Sequence, residues 1–147
     1  MPKFNPKQIQ HYIQALQEIL STTQDAANHV SPYFVKLDDA RQANKLSEMP
    51  AVDFAEIKAE FDDVVTIYQE NATKLADLKA PVRWLGVNKS LANNYQKYAE
   101  ATAMMANALD VDQQTIDEAK FSQSEEDQQT YLAKVQANVG KIFGTAG

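Results

Sequence analysis

The chain has 147 residues, 44% of them hydrophobic, with four glycines, a formal net charge of −6 and no cysteine. This length fits a single domain over residues 1–147 that buries about two thirds of its unfolded surface, and so little glycine points to a folded, helix-rich chain. Without cysteine there are no disulfides, thiolate metal ligands or cysteine nucleophiles, and an acidic chain is a poor match for nucleic-acid backbones or anionic membranes.

Residues Met1 to Lys7 lead into a polar amphipathic segment without the apolar core of a signal peptide, and no run approaches a membrane span, so cytoplasmic residence is expected. Asn5-Pro6 reads as an N-cap followed by proline in the first helical position. From there Ile9, Ile13, Leu16, Leu20, Thr23, Ala27, Val30, Phe34 and Leu37 alternate steps of four and three, the spacing of a helix packed along a bundle seam. The pattern crosses Pro32 in phase, which predicts a kinked helix rather than a split one. If unbroken from Pro6 to about Leu46, this helix spans about 60 Å against about 40 Å for its successor. Its end then either caps the bundle or projects, offering Tyr33 to Leu46 for self-association.

Asp53-x-x-Glu56 has the form of a capping box, and a second helix is expected from about Phe54. Its seam is Phe54, Ile57, Phe61, Val64, Tyr68, Asn71, Leu75 and Leu78. Beyond Pro81 the apolar series falls at Leu91, Tyr95, Tyr98, Met105 and Leu109, one residue out of register. That slip, about 100° of helix rotation, together with Pro81 and Gly86 predicts a chain reversal. The third helix is alanine-rich, which lets neighbours approach closely. A short helical piece carrying Ile116 and Ala119 is then expected, followed by a last helix opening at Ser124-x-x-Asp127 and facing inward with Tyr131, Leu132, Val135, Val139, Ile142 and Phe143. Gly144 to Gly147 should fray. The predicted fold is an all-α, antiparallel up-down-up-down four-helix bundle with a long, Pro32-kinked first helix.

Signatures of chemistry are few. His11 and His29 lie too far apart along one helix to share a metal, and the Glu-x-x-His pairs of a bundle di-iron site are absent. A calcium loop started at Asp110 would put Thr115 where glycine is required and Phe121 where a bidentate glutamate belongs. There is no phosphate-binding glycine loop and no nucleophile elbow. Neither catalytic residues nor a cofactor or metal site is therefore expected. Tyr68, Tyr95, Tyr98 and Tyr131 form a candidate aromatic pocket.

The only tryptophan lies in Arg83-Trp84-Leu85-Gly86. A Trp-x-Gly between two helices resembles the turn of the WXG100 family of small secreted helical-hairpin proteins, exported by the type VII pathway. The resemblance implies secretion, but that family's Tyr-x-x-x-Asp/Glu export signal has no counterpart here, since Ala99, Thr102 and Val135 stand four residues beyond Tyr95, Tyr98 and Tyr131.

Bundle topology gathers Lys3, Lys7, Lys79, Arg83, Lys89 and Lys141 at the tryptophan end and the acidic 110–127 segment at the other. The expected function is non-enzymatic: binding a protein partner, with Arg83 and Trp84 as the candidate contact, and forming a homodimer. The alternatives are a WXG-like secreted protein, a bundle holding a small apolar ligand, and a cytosolic immunity-type bundle.

Overall fold

The seam spacings give four antiparallel helices in the computed structural model, which describes residues 6–146: α1 (Pro6–Gln42), α2 (Ala51–Asp77), α3 (Leu85–Asn107) and α4 (Glu118–Gly144). Together they form an all-α up-down-up-down four-helix bundle. The expected Asn5 cap, Lys3 and Gly147 lie outside the described residues. α1 packs on α2, α2 on α3 and α3 on α4, the last pair most extensively. Ala99, Ala101 and Ala106 of α3 are buried, and their small side chains add little bulk where α3 meets its neighbours.

The helix ends are where the sequence expectations fail. α1 stops at Gln42 rather than near Leu46, because Asn44 adopts φ 56° and the Lys45 N–H bonds the Ala40 carbonyl while the Asn44 N–H bonds that of Arg41. This is a Schellman closure with asparagine in the left-handed position. α2 starts at Ala51 behind Pro50, whose φ of −55° suits a helix entry. Asp53 is therefore already inside the first turn and forms no capping box; its carboxylate accepts from Lys36 at 2.9 Å.

The segment between α3 and α4 is a hairpin where the sequence predicts a helical piece. Leu109–Asp110 (β1) and Thr115–Ile116 (β2) pair antiparallel around a four-residue turn. The Asp110 carboxylate accepts from the Gln113 N–H at 3.0 Å, a local bond that competes with helix. Asp117, not Ser124, caps α4, accepting from the Lys120 N–H at 3.1 Å. The amide of Gln114 donates to the carbonyls of Leu46 and Met49 at 2.7 and 2.6 Å. The hairpin thus clasps the α1–α2 connection and matches the extra length of α1.

The core has two parts. Toward the Trp84 end it is built on Tyr12, Leu16, Leu75, Leu91, Tyr95 and Ile142; toward the hairpin end, on Leu37, Phe54, Ile57 and Phe121. The seam predicted for α2 is the buried face throughout to Leu75. On α1 the buried face is rotated by one residue at alternate positions. Tyr12, Ile19 and Ala26 lie deepest there, while Ile13, Leu20 and Ala27 sit on its flank. α1 runs through Pro32 unbroken. Pro32 and Asn28, whose carbonyl loses its helical partner, both lie on the exposed side of the helix.

Gly86 is not needed for the reversal between α2 and α3. It lies in the first turn of α3 with no positive φ, and a methyl group there would meet nothing within 4 Å. The Gly86→Ala variant is expected to gain about 0.5–1 kcal/mol, the helix-propensity difference, measurable as a raised midpoint in urea.

Candidate functional site

From Ser122 to Thr130, α4 carries no large apolar residue. Its inward positions there are Ser124, which is fully buried, and Gln128, whose amide donates to the Ser124 hydroxyl at 3.3 Å. Side chains this short or polar leave the layer between the two core clusters unfilled on the α4 side. Facing them on α1 are Ala27 and Ser31, which are equally small. The result is an apolar cleft between α1 and α4 with a volume of about 370 Å³, within the range of small-molecule sites.

The floor of the cleft belongs to the middle helices: Phe61, Val64 and Tyr68 of α2, Tyr98, Thr102 and Met105 of α3. Val30, Phe34 and Leu132 form its sides, and Ser31, Glu125, Gln128 and Gln129 supply its polar lining. At the hairpin end the rings of Phe34 and Phe121 lie parallel with centroids 6.2 Å apart. Arg41 reaches from α1 over the Phe121 ring at 4.6 Å and pairs with Glu118 and Glu125 of α4 at 3.3 and 3.7 Å. Long side chains therefore tie α1 to α4 beside an opening their backbones do not close.

Three of the four candidate tyrosines come together, with ring centroids 5.1 Å apart for Tyr68 and Tyr98, 6.1 Å for Tyr95 and Tyr98, and 6.2 Å for Tyr68 and Tyr95. Tyr68 and Tyr98 line the cleft. Tyr95 stands apart from it, its hydroxyl 2.6 Å from that of Thr23 and accepting from the buried Asn71 amide at 3.1 Å. Tyr131 is half-buried against the core and under Lys134, and does not line the cleft. Burial pushes the Tyr68, Tyr95 and Tyr98 phenols up from their ordinary value, with Tyr98 adding to the effect on Tyr68. All three are neutral hydrogen-bonding groups at neutral pH.

At the opposite end Trp84 is only 3% exposed. Its ring stacks on Tyr12 at 5.6 Å and its N–H donates to the Thr145 hydroxyl at 2.9 Å. The Arg83 guanidinium lies 4.5 Å over the indole and donates to the Thr145 carbonyl. An indole so enclosed has no area to give a partner, so Trp84 joins the reversal to α1 and to the end of α4 instead of serving as an exposed contact. Thr145 is correspondingly anchored, where the sequence predicts fraying. Arg83 itself is exposed, between Val82 at 74% and Leu85 at 60% exposure.

The remaining candidates are dispersed. His11 is exposed; His29 is exposed too, its Nε2 2.6 Å from a Glu60 carboxylate oxygen. Among the described residues no group of three or more His, Cys, Asp or Glu side chains is arranged to hold a metal ion, and no helix is long and apolar enough to cross a membrane. The apolar side chains of the Tyr33 to Leu46 segment turn inward: Leu37 is fully buried, and Tyr33, Phe34 and Leu46 pack on the hairpin-end core, leaving Val35 exposed. Comparison of the chain with protein-family models, with curated proteins and with solved structures finds no match.

Proposed function

We propose that this protein is a non-enzymatic binding protein that holds a small apolar molecule in the cleft between α1 and α4. The observation that carries this reading is the interrupted apolar face of α4. A bundle able to close with leucine or valine at 124 and 128 has serine and glutamine there, and the unfilled layer is lined by aromatic and aliphatic side chains beneath a polar rim. The neutral fluorophore N-phenyl-1-naphthylamine, with about 17 non-hydrogen atoms, would bind in roughly the micromolar to hundred-micromolar range at ordinary ligand efficiency. Its emission is expected to shift to the blue with one saturable site. Ala27→Phe, which places a ring in the cleft from α1, is expected to weaken binding about ten-fold or more. Non-saturable emission, or unchanged affinity in a folded Ala27→Phe variant, would sink the proposal.

A second reading keeps a macromolecular contact at Arg83, favoured by the exposed Val82 and Leu85 on either side of it. If this end pairs two copies of the chain, sedimentation finds a dimer that Val82→Ser/Leu85→Ser converts to monomer. A wild-type monomer at high concentration removes that reading.

A further inference from the structure

The fully formed hydrogen bonds of the core single out one group in the cleft wall. Tyr12 donates its phenolic proton to Asn88 at 2.7 Å. Tyr95 donates to Thr23, whose own hydroxyl is committed to the Ile19 carbonyl at 2.8 Å. Tyr98 donates to the Tyr68 oxygen at 3.5 Å, a long bond. The Tyr68 hydroxyl proton then has no acceptor among the described residues, although Tyr68 is only 2% exposed and lines the cleft. Two phenols with two protons and one bond between them leave one donor over, whichever of them donates.

Resting on the reading of the cleft as a ligand site, we propose that its ligand is a neutral apolar molecule carrying a carbonyl-type acceptor that takes the surplus phenolic proton of the Tyr68–Tyr98 pair. An anion is disfavoured because, among the described residues, no lysine or arginine lines the cleft and the one lining side chain with a charge at neutral pH is Glu125. A cation would meet a single lining carboxylate, Glu125, which Arg41 approaches to 3.7 Å, and the rest of the lining is uncharged. A plain hydrocarbon would fill the apolar floor yet leave the phenolic donor without a partner. A carbonyl satisfies it while keeping the rest of the ligand apolar.

The test uses diphenylmethane and benzophenone, near-identical in shape and differing in the carbonyl, as competitors of N-phenyl-1-naphthylamine on the full chain. Benzophenone is expected to bind wild type about three- to ten-fold more tightly, the effect of one neutral hydrogen bond. Tyr98→Phe keeps that preference, because the Tyr68 donor remains. The Tyr68→Phe/Tyr98→Phe double variant abolishes it, so that the two probes bind that variant equally whatever its affinity for either. Independently of any variant, the carbonyl stretch of benzophenone bound to wild type lies below its frequency in cyclohexane, where the carbonyl has no donor. Equal binding of the two probes by wild type, a preference that survives in the double variant, or a bound carbonyl at its cyclohexane frequency overturns the inference and leaves the cleft as a site. Failure of both probes to displace the fluorophore overturns the ligand reading itself.

Discussion

Replacing Trp84 with alanine is expected to destabilise the protein by about 3–5 kcal/mol, the usual range for a buried tryptophan. The indole stacks on Tyr12 of α1 and bonds Thr145 beyond α4, so its removal opens a cavity and unpins the α2–α3 reversal from both. Against a total stability of about 5–15 kcal/mol, that loss is large. Trp84→Phe keeps the stack and loses the N–H bond, and should cost less. Arg83→Ala, which removes an exposed side chain from over the ring, should cost about 1 kcal/mol or less. Urea unfolding followed by circular dichroism measures all three, and blue, quench-resistant tryptophan emission from wild type checks the premise. A Trp84→Ala midpoint close to wild type would show that the end of the bundle is held by other contacts.

The second large effect is alkaline unfolding. Burial raises the Tyr12 phenol to about 12 from 10.0, and raises Tyr68, Tyr95 and Tyr98 as well. A phenol whose folded value lies above its unfolded one contributes stability that is complete below pH 10 and is lost as pH rises through the folded value. Each phenol that keeps its proton in the fold above the unfolded value removes about 1.4 kcal/mol of stability per pH unit over that window, and all four act in the same direction. The helices should therefore melt cooperatively as pH rises above 10. Tyrosinate absorbance from the buried phenols is expected to rise in the same step as helicity falls. Full tyrosinate absorbance with intact helicity would mean that these phenols ionise inside the fold.

Both effects rest on residues whose burial is partly legible in the sequence. The α2 series from Phe54 to Leu75 is a period that only one helix face satisfies, and the structure buries that face. α1 is harder to read, because Ile9, Ile13 and Leu20 compete with Tyr12 and Ile19 for the inward direction. The aromatic ring of Tyr12 wins because Trp84 and Asn88 meet it from other elements, which spacing along α1 cannot reveal. The hairpin at Leu109 to Ile116 reads as helix because its two strands are two residues each, too short for alternation to register. Its Asp110 turn is the available signal.

The cleft leaves a mark of a different kind. The run from Ser122 to Thr130 without a large apolar residue reads in sequence as a solvated start to the last helix. It gains its meaning once α4 begins at Glu118, which puts Ser124 and Gln128 inside the bundle rather than at its edge. The tyrosine grouping anticipates Tyr68 and Tyr98, since they occupy seam positions of neighbouring helices. Tyr131 joins them in sequence by its place on the α4 face, but it packs on the core without lining the cleft.

The most direct test of the cleft as a ligand site is the methyl spectrum of methionine-labelled protein titrated with N-phenyl-1-naphthylamine. Met105 lines the cleft, whereas Met49 packs on the hairpin-end core and Met104 is not among the lining residues. Occupation of the cleft predicts a Met105 methyl resonance that moves and saturates at one equivalent while those of Met49 and Met104 stay in place. A Met105 resonance that holds still while the fluorophore binds elsewhere, or three resonances that drift together without saturation, would contradict it.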